Sequence, residues 1–209
     1  GAYFCITRYY QVKEWHLMIF LAAGVFMCLF GITDFFDMDL LGFKAEIRES
    51  QRHTFTSTIG NINTYTSCVA MVMAYGGVMF TAARERLKAA GYGVCTVIAF
   101  FALILGESDN AYLSLAAFFG LLPLYAFRSG KRIWRYALLA AAFFTAAVLV
   151  GVICRVMEGQ VVPITGLFQV IAGSRFLPVI IVFLWLAAGA CYLLDRKGIF
   201  EKPSVTSVL

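Results

Sequence analysis

Charge is scarce in this chain. Asp, Glu, Lys and Arg make up only 14% of the residues, against 61% apolar ones, and the mean hydropathy is +0.82. A soluble domain carries about 25% charged and about 45–50% apolar residues. A soluble chain of this make-up would hold a large apolar excess in water, so the composition excludes an ordinary soluble domain and points to the bilayer as solvent. Histidine is scarcer still, with His16 and His53 alone, which leaves little for histidine-based chemistry. The cysteines Cys5, Cys28, Cys68, Cys95, Cys154 and Cys191 lie no closer than about 20 residues apart, which excludes the Cys-x-x-Cys spacings of zinc and redox sites. Most fall in apolar segments, where cysteine acts as a small hydrophobe, and neither a disulfide nor a metal is expected. A P-loop, an HExxH motif and a nucleophile elbow are also missing.

What is present is a series of charge-free windows, each near the roughly 20 apolar residues that a helix needs to cross the hydrocarbon. They run over about 15–33, 63–83, 89–106, 111–127, 136–154 and 176–194. The expected fold is all-α: a single polytopic transmembrane domain, 1–209, with about six spans. Basic residues set its orientation. With both ends cytoplasmic, the inner segments hold 12 of the 17 basic residues: Arg8, Lys13, Arg84, Arg86, Lys88, Arg128, Lys131, Arg132, Arg135, Arg196, Lys197 and Lys202. The outer segments hold eight of the 12 acids. The net charge of +5 therefore belongs to membrane loops, and no nucleic-acid partner is expected, because a basic groove with interleaved aromatics would be distributed differently. The chain opens on Gly1 with a segment that looks like a helix end, so it is expected to be part of a longer protein.

No carboxylate pair lies inside a span, which argues against a proton-coupled pump. The first three spans do not resemble the last three, which argues against an inverted-repeat transporter. Pro123 is expected to kink the fourth span. Pro178 falls in the first turn of the sixth, where proline is tolerated. Two long loops, about 34–60 and 155–175, face outside, and such loops often carry function.

The first of these loops ends in the most informative stretch, RHTFTSTIGNINTYTS, residues 52–67. Gly60 permits a positive-φ turn or a close backbone approach. Asn61 or Asn63 can cap the next helix. The polar side chains that follow run into the span, where they need partners. Two readings stand side by side. One is a plain helix cap, with Arg52 touching outer lipid phosphate. The other is an anion site, in which a helix N-terminus with unpaired N–H groups and the neighbouring Arg52 guanidinium hold a lipid-linked phosphate or pyrophosphate.

The segment STIGNINTY resembles the G-T-F-G-N-P-N pattern of the O-antigen ligase and polymerase family of bacterial membrane glycosyltransferases, and SDNAYLSL at residues 108–115 fits the same family. The resemblance is strongest over about 34–127, and Ile62 stands where the family often has proline. It implies a metal- and nucleotide-independent enzyme of the bacterial cytoplasmic membrane, without a cofactor. Such an enzyme moves a glycan from an undecaprenyl-pyrophosphate carrier to a glycan, lipid or protein acceptor at the outer face. Arg52, Gly60, Asn61 and Asn63 match the pyrophosphate-binding residues. The family's later His-bearing catalytic loop has no match here, so the catalytic residue is unassigned and this chain corresponds to the front or middle of such an enzyme.

Four further outer residues are secondary candidates. His53 stands beside Arg52 and reads as a loop residue or a base. Asp109, with Glu107, reads as a solvated hairpin carboxylate or as a group that orients the acceptor or pairs with Arg52. Arg155 and Arg175 read as headgroup anchors or as extra phosphate contacts, flanking a loop apolar enough to lie on the bilayer surface. His16, at the inner end of the first span, reads as interfacial. The other functional classes are half of a transporter or flippase for an anionic or lipid-linked substrate, and a membrane scaffold.

Overall fold

The computed structural model describes residues 13–36, 38–43, 45, 47–48, 57–159, 161 and 164–197. Among them are seven helices: α1 (Glu14–Phe35), α2 (Ile62–Ala82), α3 (Arg86–Leu105), α4 (Asp109–Ala126), α5 (Gly130–Val156), α6 (Gly166–Gly173) and α7 (Leu177–Arg196). The protein is a multi-pass helical membrane protein. Five helices are long and apolar enough to cross a membrane: α1, α2, α3, α7 and the part of α5 from Arg132 to Val156. The fourth expected span, α4, is 18 residues long and opens on Asp109-Asn110, and it is not among these five. With eight residues, α6 reaches only about 12 Å, too short to cross.

Three-residue turns join α2 to α3, α3 to α4 and α4 to α5, so these four helices run alternately up and down. The helix ends therefore sort into two sets. The basic end holds the start of α1, the turns 83–85 and 127–129, and the end of α7. The loop end holds the described residues of 36–61 and of 157–176, and the turn 106–108. The basic-residue bias assigns the basic end to the cytoplasm.

Helix α2 is the hub, packed against α1, α3, α4 and α5, while α7 rests mainly on α5. Burying apolar groups drives little association inside a lipid bilayer, where small residues and close packing matter more. In α2, a Cβ added at Gly76 would meet the Thr96 hydroxyl of α3 at 2.6 Å, and one at Gly77 would meet Phe118 of α4 at 2.4 Å. Next to this contact, Phe100, Phe118, Phe119 and Phe143 form an aromatic cluster, with Phe100 and Phe143 edge-on at 5.4 Å.

Pro123 lies inside α4, and the helix continues past it to Ala126. Proline has no N–H to give the carbonyl one turn back. That carbonyl belongs to Phe119, and the Tyr136 hydroxyl of α5 donates to it at 2.9 Å. The helix interruption is thus satisfied from the neighbouring helix, as membrane helices require.

At the basic end, α5 starts at Gly130, six residues before the expected Tyr136. Arg135, expected in an inner loop, is a helical residue with 3% exposure. It donates to the carbonyls of Phe80 (2.6 Å) and Ala83 (2.7 Å), covering the C-terminal, negative end of α2. At the start of α1, His16 accepts the Lys13 backbone N–H on Nδ1 at 3.0 Å, so the expected interfacial histidine caps its helix. Lys88 pairs with Glu14 at 3.2 Å and with Glu85 at 3.3 Å.

Replacing Tyr136 by Phe leaves the Phe119 carbonyl unpaired and should cost about 1–2 kcal/mol. Thermal unfolding in detergent should show a lower midpoint for Tyr136→Phe, and the loss should vanish when Pro123 is also changed to Ala.

Candidate functional site

The candidate site lies at the loop end, where α2 and α4 both begin. Gly60 has φ +74°, a left-handed turn that glycine adopts without penalty. The turn presents Asn61 as the cap of α2. Its Oδ1 accepts the backbone N–H groups of Asn63 (3.0 Å) and Thr64 (3.1 Å). Ser108 caps α4 in the same way, accepting from the Asn110 N–H at 3.3 Å.

The two caps are joined. Ser108 donates its hydroxyl proton to Asn63 Oδ1 at 2.7 Å, and the Asn110 amide reaches the Asn63 carbonyl at 3.5 Å. Ser108 is buried, while Asn61, Asn63, Thr64, Ser67 and Asn110 are exposed. The hydroxyls that enter the spans bond back to their own helices: Thr66 to the carbonyls of Ile62 and Asn63, Ser67 to that of Asn63, and Ser114 to that of Asn110. The need for partners at that depth is met locally. The product is one exposed patch of side-chain amides and hydroxyls over two parallel helix N-termini, whose dipoles both turn their positive ends toward it.

Below the patch, α2 and α4 part to leave an apolar groove of about 460 Å³. Ala70, Ala74 and Val78 line one wall, and Ala117, Leu121 and Leu122 line the other, with Ser114 also in its lining. It starts about 10 Å below Asn63, seven residues along the helix.

The loop on either side is anchored. Ser57 is buried at φ +56°. Its backbone N–H donates to the Asp34 carboxylate at 2.6 Å and its hydroxyl to the Met27 carbonyl at 3.0 Å. Asp34 thus holds the arm that leads into Gly60 and Asn61. Glu107 is half-buried and engaged by the loop that follows α5. Its carboxylate accepts the backbone N–H of Thr165 and the Thr165 hydroxyl, the latter at 3.0 Å. Next to it the Leu167 N–H donates to the Tyr112 hydroxyl at 3.2 Å, and the Tyr112 ring lies 4.8 Å from that of Phe168. The loop expected to lie on the bilayer surface therefore docks its helix α6 on the α3–α4 hairpin.

Gly60, Asn61, Asn63 and Asp109 share the loop end, and the first three form the turn and cap around which the patch is built. The cap occupies two amides of the first turn of α2, so the patch presents side-chain groups more than bare backbone N–H. Asp109 is exposed in the first turn of α4, where a carboxylate suits the dipole. Arg155 and Arg175 are exposed at the end of α5 and before α7, and no hydrogen bond ties them to the patch among the described residues. Arg52 and His53 lie outside the described residues. Ser108 was not singled out as a site residue in the sequence. Its role as cap was readable from Ser-Asp-Asn before an apolar run, but its contact with Asn63, 45 positions away, was not.

No family model matches the chain, and no curated protein and no solved structure matches it.

The Asn63–Ser108 bond should appear as coupling in a double-mutant cycle. Asn63→Ala and Ser108→Ala together should cost about 1 kcal/mol less than the sum of the single changes. Strict additivity would mean that the two caps are independent.

Proposed function

We propose that the loop end binds the phosphate head of a lipid-linked glycan, and that the chain is part of an O-antigen ligase-like glycosyltransferase of the bacterial cytoplasmic membrane. The supporting observation is the junction of the two segments that carry the resemblance. The GNIN turn and the SDN turn meet through Asn63 and Ser108, and an apolar groove opens beneath them between the same two helices. A lipid-linked phosphate has this layout: a polar head at the membrane surface and a long apolar tail below it. Asn61, Asn63 and Asn110 supply neutral amides, and the paired dipoles favour a negative group. A phosphate also calls for a cation, and Arg52, eight residues before Gly60, is the proposed clamp. Nucleophile, acceptor and glycan identity belong to parts of the reaction that this patch does not supply.

In the complete protein, Arg52→Ala should abolish glycan transfer at unchanged membrane abundance, while Arg52→Lys restores part of it. Normal transfer in Arg52→Ala removes the clamp. Independently, Ala117→Trp at an exposed groove position should raise the KM for a long-chain lipid donor more than for a short-chain one. Equal effects on both donors would show that the groove does not hold the tail.

A further inference from the structure

At the opposite end of the bundle lies a second cavity, of about 530 Å³, between the α2–α3 turn, α5 and α7. Arg84, Arg86, Arg135 and Arg196 line it, with Asp195 as the one carboxylate in the lining. Trp134 and Tyr192 complete its polar wall, edge-on at 5.2 Å, and the Arg196 guanidinium stands 5.9 Å over the Tyr192 ring.

Two donors here lack an acceptor. The Arg135 residue is 97% buried, with 3% exposure, and its Nη1 is spent on backbone carbonyls. Its Nε has no hydrogen-bond partner, and neither does the buried indole Nε1 of Trp134 beside it. No ion pair reaches Arg135 among the described residues. Neutral carbonyls satisfy hydrogen bonds but do not neutralise a buried charge, and the one carboxylate lining the cavity, Asp195, acts on it only from beyond ion-pair distance.

A second, almost wholly apolar pocket of about 340 Å³ adjoins this one and shares Phe80, Ala90 and Leu138 with it. It extends toward the membrane interior along Val94, Val97 and Ala142 to Trp185. The two pockets together form a cationic mouth on an apolar channel. Basic pockets between helices on the cytoplasmic side suit anionic lipid headgroups, and Arg suits phosphate through its planar donor fork.

We infer that this paired pocket is a binding site for an anionic phospholipid of the cytoplasmic leaflet, with its phosphate among Arg84, Arg135 and Arg196 and an acyl chain in the apolar channel. The site is independent of the loop-end patch and involves none of its residues. The exposed Arg84 and Arg196 give the phosphate its direct contacts, and the buried Arg135 behind them adds its charge. A soluble phosphate would engage the mouth alone and leave the channel unused.

Native mass spectrometry and thermal unfolding of the purified full chain in a zwitterionic detergent test this, with phosphatidylglycerol, phosphatidylcholine and inorganic phosphate as separate additions. Phosphatidylglycerol should remain bound and raise the unfolding midpoint, phosphatidylcholine should do neither, and phosphate alone should not reproduce the shift. The double variant Arg84→Gln/Arg196→Gln changes exposed side chains. It should bind phosphatidylglycerol roughly 25-fold more weakly, about fivefold for each guanidinium. Equal binding of the two lipids, an unchanged affinity in the double variant, or a full shift from inorganic phosphate would each overturn the lipid site.

Discussion

Helix ends are the costly places in this protein. A membrane helix satisfies its own backbone along its length, but each end leaves N–H or C=O groups without partners, and hydrocarbon offers no water to take them. The described chain meets the requirement with side chains, some local and some reaching across sequence. Asn61 and Ser108 cap the starts of α2 and α4, Arg135 covers the end of α2, and Glu107 meets the start of α6. Tyr136 does the same for the break made by Pro123. The Arg135, Tyr136 and Glu107 contacts also tie one element to another, and the Ser108–Asn63 bond joins the two local caps, so capping and tertiary packing are closely linked. The loop-end patch arises from this arrangement, because two caps placed side by side present their unused polar groups together.

The two ends of the bundle differ in what they offer a ligand. The loop end presents neutral amides and hydroxyls over two positive dipole ends, with an apolar groove below. The basic end presents guanidinium groups around a cavity that also opens onto apolar space. Both combine a polar mouth with apolar space beside it. They differ in the source of positive charge: helix dipoles at one end, side chains at the other.

The class of fold was legible because it rests on composition. Runs free of charge mark helices, and five of the six expected spans, all but the fifth, begin and end within about three residues of the observed helices. The start of α5 was not legible, because Lys131, Arg132 and Arg135 read as loop when charge marks the boundary. In fact Arg135 occupies the same buried stripe as Leu139, Phe143, Ala146 and Val150, and helical spacing continued backward from that stripe would have placed it. At the site, Gly60 and Asn61 were legible, since a glycine turn and an Asn cap are local chemistry. The tether of Ser57 to Asp34 and the contact of Ser108 with Asn63 were not, because they depend on how helices pack. The docking of α6 was missed for the same reason: its apolar face reads as bilayer-seeking until Tyr112 and Glu107 are seen to receive it.

The central claim is that a lipid-linked phosphate sits with its head at the Asn63–Ser108 junction and its tail between α2 and α4. Site-specific photocrosslinking tests it most directly, with a photoreactive residue at Ser114 or Met71 in the groove, or at Val94 in the separate pocket, and a radiolabelled polyprenyl diphosphate as probe. The account predicts labelling from positions 114 and 71, competed by unlabelled polyprenyl diphosphate, and none from position 94. Labelling confined to position 94, or labelling from all three positions that unlabelled carrier does not compete, would contradict it.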